Sequence, residues 1–161
     1  MAERESLDVS TVEGDMADLS MFPEARFDLI VHPCSNVFVP DVRPVWHEAF
    51  RVLRPGGVML SGFYNPAYFI FDPFALEKGE LRVRHKLPYS DLTSLSDEER
   101  GRYLAQDEPL VFGHTLEQLL GGQMEAGLLL AALYEDGWPE CALANYTPVF
   151  IATRAVKPKC E

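Results

Sequence analysis

A chain of 161 residues, 47% apolar and 24% charged, is long enough to bury a real core, roughly 70% of its unfolded surface at this size. Its proline and glycine content is too ordinary for disorder. A net charge of -11 and a pI near 4.7 repel nucleic-acid phosphates and anionic headgroups, which excludes nucleic acid and membrane as expected partners and leaves small molecules or proteins.

No stretch offers the roughly 18 apolar residues of a membrane span, and Met1-Ala2-Glu3-Arg4-Glu5 has no signal-peptide core. Three cysteines, Cys34, Cys141 and Cys160, lack a CxxC pair, so neither a disulfide framework nor a zinc site is expected. Reduced thiols in a cytoplasmic protein are the expectation.

In chain order, residues 7–12 form a short β-prone run ending at Glu13-Gly14-Asp15. Phe27-Asp28-Leu29-Ile30-Val31 is an almost continuously apolar run of the kind found in buried parallel strands. The connection between them stops at Pro23 and has room for a turn or a short helix only. After Asp41, a candidate N-cap, Val42, Val45, Trp46, Ala49 and Leu53 recur at helical spacing, with Arg51 and Arg54 where the helix dipole favours cations. Pro55-Gly56-Gly57 stops that helix, and residues 58–63 read as a strand, giving a parallel α/β unit with a right-handed crossover expected.

Residues 65–110 read as an insertion. They carry Tyr68, Phe69, Phe71 and Phe74, then Arg82, Arg84, His85 and Lys86 alternating with the look of a charged, solvated strand, then Ser96-Asp97-Glu98-Glu99, which resembles a capping box. Residues 114–126 return to helical spacing, and 128–134 and 149–155 read as strands. One α/β domain is expected, without repeats.

The order Glu13-Gly14-Asp15-Met16, Phe27-Asp28-Leu29-Ile30-Val31 and Trp46-His47-Glu48-Ala49-Phe50-Arg51-Val52-Leu53-Arg54-Pro55-Gly56-Gly57 resembles the middle motifs of class I S-adenosylmethionine-dependent methyltransferases, especially those acting on small molecules. That resemblance implies a Rossmann-like, mostly parallel sheet in the order three, two, one, four, five, seven, six, closed by an antiparallel hairpin. Residues 7–12 then look like strand three, and strands one and two have no counterpart. The chain is expected to be the later part of such a domain, lacking the glycine-rich cofactor turn, because Gly56-Gly57 and Gly121-Gly122 are placed for turns or close packing.

The resemblance also implies S-adenosyl-L-methionine as cofactor and assigns roles. Asp15, on residue type alone a turn former, corresponds to the acidic group that accepts from the adenine amino group, and Met16 supplies the neighbouring backbone amide. His32, at the end of strand four, is a cofactor contact and a candidate general base, with a loop histidine satisfied by backbone as the plainer reading. Cys34 reads as a packed small residue. Asn36, Tyr64, Asn65 and Tyr89 are expected on the substrate side, with Asp91 and His114 as further polar candidates. Methyl transfer from a sulfonium asks mainly for alignment and desolvation, so few catalytic groups are expected.

Two functions follow from these residues. One is methylation of a small molecule by a longer or assembled enzyme; the other is a degenerate, non-catalytic binding or scaffold protein. In both, an unpaired strand edge and an uncovered apolar face predict self-association or a partner chain.

Overall fold

The computed structural model describes residues 8–159; the expectations that fall on Met1, Leu7 and Cys160 lie outside them. Strand β1 (Phe27–Pro33) runs parallel to β2 (Leu53–Tyr64), and helix α1 (Arg43–Val52) connects them. Asp41 accepts from the Arg43 amide at 3.0 Å and so helps to start α1, although Val42 occupies the cap position. The helix ends two residues before the expected Arg54. Leu53 turns extended, and Arg54, Pro55, Gly56 and Gly57 bulge out between two stretches that both pair with β1. Gly56 is needed there because its φ is +83°, a region costly for any side chain. Lys157 finishes the helix: its Nζ donates to the carbonyls of Phe50 and Leu53 at 2.7 and 2.8 Å, where the helix dipole favours a cation.

Beyond β2 the chain leaves the sheet. A 3-10 turn (Pro66–Ile70) leads to the short helix α2 (Pro73–Leu76) and strand β3 (Tyr89–Ser90). Helices α3 (Asp91–Ser94) and α4 (Asp97–Leu104) follow, and then strand β4 (Phe112–Gly113), which pairs with β3. The expected capping box is present: Ser96 Oγ accepts from the Glu99 amide, and Glu99 accepts from the Ser96 amide. The expected charged strand at Arg82, Arg84, His85 and Lys86 does not form; only Val83 bridges to Phe71, because Arg84 is instead drawn to Glu99 and Asp72.

A π-helical turn (Glu117–Gly121) runs into α5 (Gly122–Glu125), followed by β5 (Leu129–Asp136) and β6 (Phe150–Val156). Gly122 is required by close packing, since a Cβ there would lie 2.7 Å from Trp46 Cδ1. The main sheet has the order β1-β2-β6-β5, with β6 antiparallel to both neighbours. This is an α/β sheet that ends in an antiparallel hairpin, as the resemblance implied.

Helices α1 and α5 cover one face of this sheet. Trp46 lies at the centre, fully buried, among Val42, Ala49, Met59, Phe63, Leu119 and Leu128, with its indole N–H donating to the Gln118 carbonyl at 3.1 Å. The other face carries Leu29 and Val31 of β1, 54% and 62% exposed, beside exposed Leu60, Leu129 and Tyr134. Residues 8–14, which include the described part of the strand expected over 7–12, are exposed and form no ladder. β-propensity alone does not make a strand, because an unpaired backbone gains nothing over its bonds to water, and no described neighbour pairs with this segment. Among the described residues no helix is long and apolar enough to cross a membrane.

Candidate functional site

At the carboxyl end of β1 the chain turns sharply at Cys34, whose φ is 55°, into a 3-10 turn (Ser35–Phe38). The Cys34 amide and Asn36 Nδ2 both donate to the Gly62 carbonyl of β2, each at 2.9 Å. Asn36 is 1% exposed, and its own carbonyl lies 2.9 Å from His114 Nε2, which makes that nitrogen the protonated one. Burial lowers the His114 pKa. Asn36 and His114 therefore brace the loop through these bonds. Asn65 is spent in the same way: Oδ1 accepts from the Ala67 amide and Nδ2 donates to the Pro148 carbonyl, both at 3.0 Å. Where strands end under a loop, backbone groups left outside the ladder need partners, and short amides supply them.

Met16 and Leu19 lie over the inner face of β1 and α1. Together with Ile30, His32 and Trp46 they enclose a cavity of about 170 Å³. His32 meets Trp46 edge-on, with ring centroids 5.5 Å apart. Its Nε2 is buried and has no hydrogen-bond partner among the described residues, and burial holds its pKa below the usual value. The slot thus has apolar walls, with His32 among them and its Nε2 buried without a described partner. Asp15 lies beside Met16; its Oδ1 accepts from the Ala17 amide at 2.8 Å, and its other oxygen accepts from no described group.

A clamp on α1 holds this segment down. Arg51 donates to the carbonyls of Phe22 and Leu19 at 3.0 and 2.8 Å and to both oxygens of Glu48, while Glu48 accepts from the Leu19 amide at 2.7 Å. On sequence alone Arg51 was a cation near a helix end. Its spacing of three from Glu48 was the available hint of a pair, but nothing in the sequence places the Leu19 and Phe22 carbonyls beneath it.

A second cavity, about 450 Å³, opens among the residues after β2. Tyr64, the last residue of β2, does not line it but packs on Tyr68, which does, with centroids 5.0 Å apart. Tyr89 is on the wall, its hydroxyl donating to Asp91 Oδ1 at 2.6 Å, and Asp91 Oδ2 accepts from the Val111 amide at 2.8 Å. Burial first, and then that bond to Asp91, push the Tyr89 phenol well above its ordinary pKa. Tyr103 and Trp138, which no sequence signal singled out, complete the wall from distant parts of the chain. The two cavities share no lining residue, so His32 and Tyr89 belong to different compartments.

A family model described as a methyltransferase domain matches residues 1–61. The "Uncharacterized methyltransferase YbaJ" of Bacillus subtilis is 44% identical over 159 residues, covering 98% of this chain and 61% of that protein. By these likenesses the chain is similar to methyltransferases. It spans less than two thirds of that curated relative's length. The same fold is found in a putative methyltransferase from Listeria monocytogenes, TM-score 0.66 at 14% identity over 98% of this chain and 74% of that one. A methyltransferase from Mesorhizobium loti gives 0.63 at 17% identity over 89% and 67%.

The family's cofactor is S-adenosyl-L-methionine, and the residues present can be compared with its parts. A cavity of about 170 Å³ is smaller than the roughly 300–1,000 Å³ of whole-ligand sites and suits one flat ring. Its apolar walls, the unpartnered His32 nitrogen and the adjacent Asp15 carboxylate fit the adenine end. Among the described residues no glycine-rich turn leads a strand into a helix, the place that the resemblance gives to the methionine end.

Proposed function

We propose that the chain contributes the adenine side and the acceptor side of a cytoplasmic methyltransferase site, completed in a longer or assembled enzyme, and that the acceptor is a small molecule. The observation that carries this reading is the slot under Met16 and His32, clamped by Arg51 at the carboxyl end of β1. Asp15 accepts from the adenine amino group, the Met16 amide faces the ring, and the His32 imidazole bounds the slot. When bound, S-adenosyl-L-methionine supplies an electrophilic methyl group on a sulfonium. Tyr64 and the aromatic rings packed on it exclude water from the acceptor, which is most of what such a transfer asks of a protein. His32 stays neutral near pH 7 and is able to take a proton from an acceptor that reaches it. The unpaired thiols of Cys34 and Cys141 agree with a reducing compartment.

Calorimetric titration of S-adenosylhomocysteine into the 161-residue chain tests this. A micromolar Kd, about -8 kcal/mol, is expected, weakened on the order of tenfold by Asp15→Ala. Absence of heat, or binding indifferent to Asp15→Ala, overturns the cofactor assignment.

A second reading, a non-catalytic binding or scaffold protein, draws support from the uncovered sheet face with Leu29, Val31 and Leu60 and from the open edge of β1. On either reading we propose that this face and edge pair with a second copy or another chain. A monodisperse monomer by light scattering after size-exclusion chromatography rules out self-association through it.

A further inference from the structure

The larger cavity has a composition that methyl transfer by itself does not explain. Tyr68, Tyr89, Tyr103 and Trp138 offer ring faces and edges on its wall, with Tyr68 and Trp138 stacked at 6.5 Å and an interplanar angle of 21°. Glu77, Glu108 and Glu140, each exposed to solvent, also line it, as does buried Asp91, which is bonded to the Tyr89 hydroxyl. Among the described residues none of these four carboxyl groups forms an ion pair with a lysine, arginine or histidine. On the excursion after β2, Arg84, Arg100 and Arg102 each pair with an acid that does not line this cavity.

The field this creates is visible on the phenols. Burial, followed by Glu77, Asp91 and Glu108, pushes the Tyr103 pKa up to about 12, and Tyr68 is raised by burial with smaller contributions that include Glu77. A negative potential within a ring of aromatic faces favours cations, because ring quadrupoles and carboxylates attract the same charge. A bare metal ion is a poor fit: no three His, Cys, Asp or Glu side chains among the described residues are grouped to hold one. A volume of about 450 Å³ suits an organic ligand.

We propose that this cavity binds an organic ammonium cation carrying an apolar body, with the charged head against the tyrosines and Trp138 and near Glu108 and Glu140. It rests on the methyltransferase reading only in taking this ligand as the acceptor, methylated at an atom other than its charged nitrogen, which has no lone pair to offer: Tyr68, on the cavity wall, packs at a tilt against Tyr64 at the end of β2, one ring from the proposed transfer site.

The test uses choline and its uncharged isostere 3,3-dimethylbutan-1-ol, titrated into the 161-residue chain and followed by tryptophan fluorescence. Trp138 lies on the wall, whereas Trp46 is fully buried in the core and gives a constant background. Saturable binding of choline, about tenfold tighter than the alcohol, is expected, falling several-fold in a Glu108→Gln, Glu140→Gln double variant whose circular dichroism is unchanged. Equal binding of the alcohol, binding insensitive to the double variant, or no response to choline overturns the proposal. Choline binding by a chain that ignores S-adenosylhomocysteine supports the cation site and rejects the cofactor assignment alone. The converse rejects the cation site and keeps the cofactor.

Discussion

The β1–α1–β2 unit and the excursion after β2 solve opposite problems with the same chain. The first is held by apolar contact around Trp46 and keeps its polar groups at its rim, where Arg51 and Glu48 secure the segment bearing Asp15 and Met16. The second has short helices of four and eight residues, little core of its own, and is held by aromatic contacts, caps and surface ion pairs. Contact with the sheet gives the first unit a fixed frame for the slot. The excursion, bound by separate local devices, is free to vary in what it binds.

Trp46→Ala is the harshest test of that contrast. It should cost about 3–5 kcal/mol in denaturant unfolding by removing the centre of the main core, and a loss below about 1 kcal/mol would show that the sheet unit does not depend on it. Arg51→Met should lower stability by less than Trp46→Ala and, unlike it, weaken S-adenosylhomocysteine binding while leaving choline binding unchanged, since it releases the Leu19 and Phe22 carbonyls and Glu48 and touches nothing in the larger cavity. Loss of both ligands together would mean that the two regions are one cooperative unit.

Ser96→Ala should cost about 1 kcal/mol through the lost cap and raise amide hydrogen exchange in α4 but not in α1. The smallest effect is a pH slope. Arg84, the largest cause, with the Ser96 amide, holds Glu99 down to about 2 from 4.5, so its stabilisation is complete above pH 4.5 and disappears as pH falls toward 2. Arg84→Met should flatten stability over that window by about 0.5–1 kcal/mol, and an unchanged slope would remove the pair from the account.

The fold was readable wherever periodicity and punctuation agreed. The apolar run at Phe27, the helical spacing from Val42 to Ala49 and the break at Pro55-Gly56-Gly57 gave the parallel unit, while Ser96 and Glu99 gave a cap, because these signals are local. Residues 8–12 had strand propensity and still form none, since pairing is a property of neighbours rather than of a segment. The site was legible only in part. Met16 and His32 come together in one slot although only His32 lies on a strand, and Asn36, Asn65 and His114 bond to carbonyls that only folding brings near, which no local pattern foretells.

By itself, then, the sequence determined the β1–α1–β2 unit and the acidic character, because spacing, glycine and charge act over a few residues or over the whole chain without regard to shape. Tertiary structure alone decided that Arg51 grips Leu19 and Phe22, and that Tyr68, Tyr103 and Trp138 face one cavity with Glu77, Glu108 and Glu140. Those residues are separated by up to dozens of positions, and a cavity is made from what close packing leaves unfilled, which no local pattern records.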